Sequence, residues 1–303
     1  MPQDLVNQSR EVRFVKRIDL HTHSNVSDGL LSPRDLVRLA ADEGISAIAV
    51  ADHDTVDGID EALEAGGEFG VKVVPAIEIS VDHEDGSLHL LGYFIDHHNP
   101  DLLETLQNLK RAREERNILI ISRLNELGYA VKLEDVRGMS PNGTYGRAHI
   151  AEALVASGYF SDVGSAFDAL LNRDGPAYVD RYRLPLKDAV HHIHNAGGAA
   201  VWAHPGTHGD RLERLLDRLE RWKGYGLDGI ESDYCNHTMQ LRDRLRSLAH
   251  QHGLIYTGGS DFHGSIKPEN TIGSGPEGEE IDYKCLIRLT ERVERVRSAK
   301  STP

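Results

Sequence analysis

The sequence has few cysteines and no long apolar run. Only two of its 303 residues are cysteine, Cys235 and Cys285, so a disulfide framework is excluded and a reducing compartment is expected. No stretch approaches the roughly 18 apolar residues of a membrane span, and the start MPQDLVNQSREVRF has no apolar signal core. We therefore expect a cytoplasmic protein that does not enter a membrane.

Basic residues are also in short supply. The chain has 34 Lys and Arg against 48 Asp and Glu, which gives a formal net charge of −14. Binding of duplex DNA requires clustered cations that neutralise phosphates, so this balance argues against duplex DNA as a partner. A small anionic substrate that is held by metal ions and a few local cations remains compatible with it.

Several catalytic motifs are missing. The sequence has no G-x-S-x-G nucleophile elbow and no P-loop, and neither cysteine lies beside a candidate base. Nucleophilic serine or cysteine chemistry and P-loop phosphate binding are therefore not supported. Histidine is abundant, with 17 residues. Together with Asp and Glu, these residues are most consistent with metal-assisted hydrolysis.

Short apolar segments alternate with helical patterns. We expect Ser32 to cap the first helix, Pro33 to occupy its first position and Gly44 to end it. This alternation predicts an α/β fold with a largely parallel sheet, and seven units favour a barrel over an open sheet. The seven strand-like segments are RIDLHTH, SAIAVADHD, KVVPAIEIS, SLHLLGYFID, AAVWAHPG, DGIESDY and LIYTGGSDFH.

Residues 99–181 interrupt this alternation because they contain helical patterns and no convincing strand. We predict a helical insertion, or lid, at 99–181, and a discontinuous barrel formed by 1–98 and 182–303. The charged runs REER and DRLERLLDRLER are interpreted as solvated helix faces.

Three His-x-His pairs occur, and only the first lies in a strand-like segment. Residues i and i+2 share a face on a strand but not on a helix, so His21 and His23 are the pair that can bind one ion. Six of the seven strand-like segments are expected to carry a potential ligand at or near their C-terminal end. The ligand-type residues are His21, His23, Asp28, His53, Glu78, His89, His204, Asp261 and His263.

Any one of these side chains, taken alone, is more often structural than functional. Their shared position at strand ends changes that balance, because the carboxyl ends of barrel strands meet at one rim. We therefore expect them to surround a single pocket.

With these residues assembled, the chain resembles the PHP family, which is named for polymerase and histidinol phosphatase. The matching segments are DLHTHSNVSDG, ADHDT, PAIEIS, HLLGY, AHPG and GSDFH, which span residues 19–263 in this order. The GRAH helix inside a mid-chain insertion further resembles a subgroup that acts on nucleotides. That subgroup includes 3′,5′-nucleotide bisphosphate phosphatases and a 5′→3′ exoribonuclease.

The resemblance implies a distorted (β/α)7 barrel, TIM-like, with two or three divalent metal ions. It implies one ion on His21, His23, Glu78 and Asp261, a second on Glu78, His89 and His204, and a third on Asp28, His53 and His263. The oxygen ligand at Asp28 favours Mn²⁺ or Mg²⁺ over Zn²⁺ at the third site. Mn²⁺ is the first choice, with Zn²⁺, Fe²⁺ or Mg²⁺ as alternatives.

The phosphate also needs cations from the protein. We expect Arg147 and His149, at the start of a helix, to act in substrate binding and, with Asp261, in catalysis, since Arg matches phosphate oxygens. Lys187, His208 and His237 are further substrate-binding candidates. For these three the sequence supports a structural role at least equally well.

The sequence thus predicts a metal-dependent phosphoesterase that uses metal-activated hydroxide to hydrolyse a phosphate monoester of a small nucleotide, such as a 3′,5′-bisphosphonucleotide. One alternative keeps this chemistry but acts on short single-stranded RNA as a 5′→3′ exonuclease, or on histidinol phosphate. A different class would be an amidohydrolase or a non-catalytic metal-binding protein.

Overall fold

The computed structural model describes residues 16–84, 86–139 and 145–300, so the start MPQDLVNQSREVRF lies outside the described residues. The strands are β1 Arg17–Thr22, β2 Ile45–Val50, β3 Lys72–His83, β4 Gly86–Tyr93, β5 Leu184–Pro185, β6 Ala199–Trp202, β7 Gly229–Tyr234 and β8 Ile255–Gly259. The α-helices are α1 Pro33–Asp42, α2 Ile59–Phe69, α3 Pro100–Glu126, α4 Leu133–Gly138, α5 Arg147–Ala156, α6 Val163–Ala166, α7 Leu186–Asn195, α8 Leu212–Leu216, α9 Leu219–Gly224, α10 Met239–Gln251 and α11 Lys284–Lys300. In this part of the chain, none of the helices combines the length and apolar character that crossing a bilayer requires.

The sheet forms a nearly closed barrel. Its strands follow the order β1-β2-β3-β4-β6-β7-β8, and the short β5 pairs with the outer end of β3. A bridge between Thr22 and Phe262 joins the first and last strands of this order. All seven predicted strands are present, and the expected barrel is confirmed.

One strand runs against the others. β4 is antiparallel to both β3 and β6, whereas the other pairs in this order are parallel. The amino-terminal half of β4 therefore lies at the rim where the parallel strands end. His89 reaches the rim from this half, opposite Ser80 of β3.

Alternate residues of the strands form a hydrophobic cluster with the last helix. Leu20, Ala49 and Val201 belong to it, together with Leu286 and Leu289 of α11. Because side chains alternate between the two faces of a strand, this cluster packs one face of the sheet. The opposite face is buried in separate clusters, so the sheet is covered on both sides.

Helix α1 begins as the sequence predicts. The Ser32 side chain accepts a hydrogen bond from the Asp35 backbone amide, Pro33 is the first helical residue, and Gly44 has a left-handed φ of 68°. A hydroxyl cap satisfies an amide that has no partner inside the helix, and this typically stabilises a helix by about 1 kcal/mol.

Helix α3 connects the barrel to the next helical segment. Its first half places Leu102, Leu106 and Leu109 in a barrel cluster, whereas its second half contributes Ile120 and Leu124 to a separate one. The described members of the second cluster all come from residues 120–177. The exact domain boundaries, 99 and 181, stay a prediction.

Candidate metal centre

His21, His23, Glu78 and Asp261 form the most buried part of the polar rim. The His23 Nε2 atom lies 3.3 Å from a Glu78 oxygen and 3.2 Å from Asp261 Oδ1, and His21 Nε2 lies 3.4 Å from Glu78. All four side chains are buried, and their ligand atoms lie within 4.8 Å of one another. This arrangement can hold a metal ion.

The backbone around this group is specialised. Asp261 has a φ of 53° and His204 a φ of 30°, in a region that side chains other than glycine rarely adopt. The Asp261 amide donates to the His21 carbonyl at 2.8 Å. A Cβ atom at Gly259 would lie 2.2 Å from the His21 Cβ atom, so only glycine fits where these two strands meet.

A second group surrounds Asp28. His263 Nε2 lies 3.3 Å from Asp28 Oδ1, and His53 Nε2 lies 3.7 Å from Asp28 Oδ2. The loop that carries Asp28 is held by buried Asp52, which accepts hydrogen bonds from the Ser24 amide and the Ser27 hydroxyl. His23 lies between the two groups, since its Nδ1 atom is 3.8 Å from Asp28.

The third group uses the other oxygen of Glu78. His89 Nδ1 and His204 Nε2 each lie 2.8 Å from Glu78 Oε1. His53 Nδ1 lies 3.1 Å from Glu78 Oε2, so His53 can serve this group as well as that of Asp28. Glu78 is therefore central to all the imidazoles of the rim except His263.

The nine predicted ligands thus surround one site, and buried imidazole nitrogens point into it. Although carboxylates lie nearby, six buried ring nitrogens make no hydrogen bond of suitable geometry in the part of the chain that the structure describes. They are His21 Nε2, both nitrogens of His23, His53 Nδ1, His89 Nδ1 and His263 Nε2. Buried polar atoms rarely remain unpaired, and imidazoles beside carboxylates form a donor set for a divalent metal once they are deprotonated. The residues present therefore fit such ions.

The opposite ring nitrogens are anchored, which fixes the tautomers. The Nδ1–H group of His263 donates to the Asp261 carbonyl at 2.8 Å, and that of His204 faces the Thr207 hydroxyl at 3.2 Å. His21 donates from Nδ1 to Glu231 at 3.0 Å. In each ring the Nε2 lone pair is left for the site, as metal-binding imidazoles require.

Charge favours the ligand forms of several groups. Burial raises the pKa of Glu78, but the neighbouring imidazoles outweigh this effect and hold that pKa well below its ordinary range. Burial lowers the pKa of His53 to about 3 and keeps this imidazole neutral. A deprotonated carboxylate and a neutral imidazole are the states that bind metals.

Glu231 is a site residue that the sequence interpretation missed. It is fully buried on β7, where one oxygen accepts from His21 and the other accepts from the His204 backbone amide at 2.7 Å. A signal was present, because its segment DGIESDY is the one strand-like segment to which no ligand was assigned. Lys267 was also missed, and its ammonium group lies 2.7 Å from Asp261.

A cavity of about 220 Å³ opens beside the metal centre. Asp28, His53 and His89 line one part of it, and His149 lies in its wall. Five arginines contribute to its lining, and we call this cavity the arginine pocket: Arg113, Arg116, Arg147, Arg181 and Arg183. Its charge contrasts with the acidic balance of the chain as a whole.

The interpretation of REER as a solvated helix face is wrong for two of its residues. Arg116 is 5% exposed, and Arg113 forms an ion pair with buried Asp54. Arg181 pairs with the same carboxylate at 2.9 Å. Alternating charge on a long helix suggests solvent, but here Asp54 and the backbone at Tyr145 lie against this face of α3.

The arginine pocket contains donors that await an acceptor. Within the described residues, Arg116 Nε and Arg181 Nη1 are buried and lack a hydrogen-bond partner. Burial lowers the pKa of Arg116 to about 8, and the neighbouring guanidinium groups of Arg113 and Arg181 add to this. An anion bound in the pocket would satisfy the donors and offset the repulsion.

Arg147 and His149 begin α5, as predicted, and both line the arginine pocket. The Arg147 guanidinium lies over the rings of Phe167 and Tyr178 and donates to a backbone carbonyl at 3.1 Å. His149 Nδ1 accepts from the Gly146 amide at 3.2 Å, so a neutral ring carries its proton on Nε2. Burial lowers the pKa of His149 and favours this neutral form.

Lys187, His208 and His237 make contacts elsewhere. Lys187 lies 5.9 Å over the Tyr225 ring, and His208 accepts from Arg211 at 3.2 Å. His237 uses both ring nitrogens, because it donates to the Ser232 carbonyl and accepts from the Gly206 amide. None of the three lines the arginine pocket, and a substrate role for them stays a prediction.

A barrel whose rim combines imidazoles and carboxylates, next to a pocket of arginines, defines a metal-dependent phosphoesterase. The family model described as "PHP domain" matches residues 19–177, and the chain belongs to the PHP family. The predicted family, fold and enzyme class are therefore confirmed.

Relatives and solved structures agree with this assignment. The chain is 35% identical to a 5′-3′ exoribonuclease of Haemophilus influenzae, over 82% of this chain and 91% of the relative. It is 34% identical to a 3′,5′-nucleoside bisphosphate phosphatase of Chromobacterium violaceum, over 92% of this chain and 98% of the relative. A crystal structure from Bifidobacterium adolescentis, described as a metal-dependent phosphoesterase, superposes with a TM-score of 0.82 at 32% identity and covers 91% of this chain and 96% of that chain.

Proposed function

We propose that this enzyme hydrolyses a phosphate monoester of a small nucleotide, with a 3′,5′-bisphosphonucleoside as the leading substrate. The observation that carries the proposal is the arginine pocket, which opens directly beside the candidate metal centre. A substrate with two phosphates can place one at the metal centre while arginines hold the other. The Chromobacterium violaceum relative, which the chain matches over nearly its whole length, is named for such a substrate.

The metal ions would be held by the nine rim residues, of which Glu78, His23 and His53 each belong to two groups and His204 adjoins Glu78. Such ions lower the pKa of a bound water and polarise phosphate oxygens. We propose Mn²⁺ as the resident metal, since the carboxylate oxygens, Asp28 among them, are hard ligands that suit it. Both cysteines are free thiols, which fits a reducing compartment, and we propose a cytoplasmic location.

The protein residues would bind and orient the substrate. Arg116 and Arg181 line the arginine pocket, where their guanidinium groups can donate to phosphate oxygens. Asp54 holds Arg113 and Arg181 from behind. The Nε2–H group of His149 can donate to the substrate from the start of α5. The helical insertion supplies Arg116, Arg147 and His149, and would thereby exclude water from the pocket as a lid.

A 5′→3′ exonuclease acting on short RNA is the second candidate. The Haemophilus influenzae relative carries this name, and a further cavity shares Arg147 and Arg183 with the arginine pocket. A narrow pocket within an acidic chain favours short strands over long RNA. Both candidates use the same metal centre and differ in what the arginines bind.

A phosphate-release assay of the Mn²⁺-loaded protein tests the proposal. It compares a 3′,5′-bisphosphonucleoside, the matching 3′- and 5′-monophosphates, 5′-phosphorylated oligoribonucleotides and histidinol phosphate. We expect the bisphosphate to give the highest kcat/KM, chelation to abolish turnover, and added Mn²⁺ to restore it. The variant Arg116→Gln should raise KM, whereas Arg38→Gln on the exposed face of α1 should not. Higher kcat/KM for a monophosphate than for the bisphosphate would overturn the proposal.

A further inference from the structure

A second cavity lies next to the arginine pocket. The second cavity has a volume of about 410 Å³ and shares Ser87, Arg147 and Arg183 with the arginine pocket. We call it the distal pocket. None of the nine metal-centre residues lines it. Its remaining lining residues are Asp82, Gly86, Arg173, Tyr178, Asp180 and Arg211.

Cations outnumber anions in the distal pocket. Four arginines line it, against two carboxylates, and both carboxylates contact Arg183: Asp180 at 2.7 Å and Asp82 at 3.9 Å. Within the described residues, Arg173 forms no ion pair. Arginines therefore outnumber carboxylates among the described residues that line the pocket, although the chain as a whole carries a net charge of −14.

Two guanidinium groups converge on one point of the pocket wall. A Cβ atom at Gly86 would lie 2.3 Å from Arg211 Nη1 and 3.6 Å from Arg173 Nη1. Gly86 has a φ of 115°, which glycine adopts without strain, so the absence of a side chain leaves room for both groups. Arg211 is held from behind by His208, which accepts its hydrogen bond and stacks on Trp202.

We infer that the distal pocket is a second phosphate subsite, formed by Arg173 and Arg211, for a substrate phosphate that is not hydrolysed and lies beyond the arginine pocket. The inference rests on the proposed phosphoesterase function. Two converging guanidinium groups match the oxygens of a phosphate. The arginine pocket is smaller than the roughly 300–1,000 Å³ of typical ligand sites, and the neighbouring distal pocket adds room for a longer substrate.

The phosphate in question can come from two sources. One is the second phosphate of a 5′-diphosphate on a nucleoside 3′-phosphate. The other is a neighbouring internucleotide phosphate in a short single strand. Both sources offer the same phosphate oxygens to Arg173 and Arg211. They differ in that the diphosphate ends at this phosphate, whereas the strand continues beyond it into a further nucleoside.

The experiment compares three substrates: a nucleoside 3′,5′-bisphosphate, the same nucleoside with a 5′-diphosphate and a 3′-phosphate, and a 5′-phosphorylated trinucleotide. The variants are Arg173→Gln and Arg211→Gln. The matched control is Arg214→Gln, which removes the same charge from an exposed position of α8 near Arg211. Thermal melting confirms that each variant is folded.

We expect each variant to raise KM about tenfold for one of the longer substrates, with kcat nearly constant and the KM of the bisphosphate unchanged within twofold. The substrate affected identifies the source. For the trinucleotide, each variant loses one phosphate contact. The slope of the logarithm of the binding constant against the logarithm of the salt concentration should therefore become shallower by about 0.7. A purely structural effect of the substitution would leave this slope unchanged.

The outcomes separate this inference from the proposed function. If the bisphosphate is hydrolysed and the variants have the KM and kcat of the wild type for all three substrates, the subsite is refuted and the proposed function stands. If no substrate is hydrolysed, the function fails, and calorimetric titration of the longer compounds into chelated protein decides the subsite. Equal binding by wild type, variants and control in that titration would then refute it as well.

Discussion

Glu231 offers the sharpest test of the metal centre, because it touches two candidate ligands without being one itself. Its two oxygens accept separate hydrogen bonds, from His21 Nδ1 and from the His204 amide. The substitution Glu231→Gln keeps the shape but leaves a single acceptor. If that acceptor faces His204, the new NH₂ group faces His21 and favours the tautomer with its proton on Nε2, which blocks metal binding.

The opposite orientation of the amide is no better, because its NH₂ group would then face the His204 backbone N–H. An unsatisfied buried donor costs about 1–3 kcal/mol. With a factor of ten for each 1.4 kcal/mol, the metal affinity should fall between about fivefold and 150-fold. Loss of a carboxylate behind a metal-binding imidazole typically costs about 10- to 100-fold in affinity, which agrees with this range.

The assay is a competition titration of Mn²⁺ or Zn²⁺ against a chelator of known affinity, with thermal melting of the metal-free protein as a check on folding. Glu213→Gln is the control, since Glu213 is exposed and pairs with Arg244. If Glu231→Gln bound metal like the wild type, with an unchanged melting temperature, the tautomer argument would be refuted.

Three further predictions concern the pockets. Arg116→Met should raise the melting temperature, because it removes a buried charge among like charges. It should also raise the KM of the bisphosphate about tenfold or more, since a charged hydrogen bond contributes about 1.5–3 kcal/mol, and an unchanged KM would argue against phosphate binding there. Asp54→Asn removes the ion pairs of Arg113 and Arg181, so the KM of the bisphosphate should rise while elemental analysis finds the metal content unchanged. Loss of metal in this variant would contradict the idea that Asp54 supports substrate binding and not metal binding. Burial and a neighbouring arginine lower the pKa of His208 to about 3, so the unfolded chain, with a pKa near 6.5, binds a proton that the folded chain does not. The free energy of unfolding should therefore fall as the pH drops from about 6.5 toward 3. The fall should be smaller in His208→Gln. Urea unfolding of the chelated protein at pH 7 and pH 5 measures both.

Much of the metal centre could be predicted from the sequence because parallel strands end at one rim. A position at the end of such a strand is enough to predict that a side chain lies near the other candidate ligands, as His53 and Asp261 illustrate. His89 reached the same rim for a different reason. Its strand runs antiparallel, so the amino-terminal half of that strand faces the site, and the sequence pattern does not record strand direction.

The arginine pocket could not be predicted in the same way. Arg113 and Arg116 lie on a long helix whose charged surface is typical of exposure to solvent, and their burial depends on where the insertion packs. Glu231 was missed because it binds no ion directly, and its role is evident only from two hydrogen bonds. Both cases depend on contacts between segments that are distant in the sequence.

The arginine pocket also explains how an acidic protein can bind an anionic substrate. Its guanidinium groups repel one another, and in the described chain the carboxylates beside them do not satisfy every buried N–H group, as Arg116 shows. Since Asp54 already pairs with Arg113 and Arg181, the remaining donors are available to the substrate. Binding of a phosphate then relieves a destabilisation that the empty pocket carries. Affinity for phosphate and reduced stability of the empty pocket are, on this view, two consequences of one set of charges.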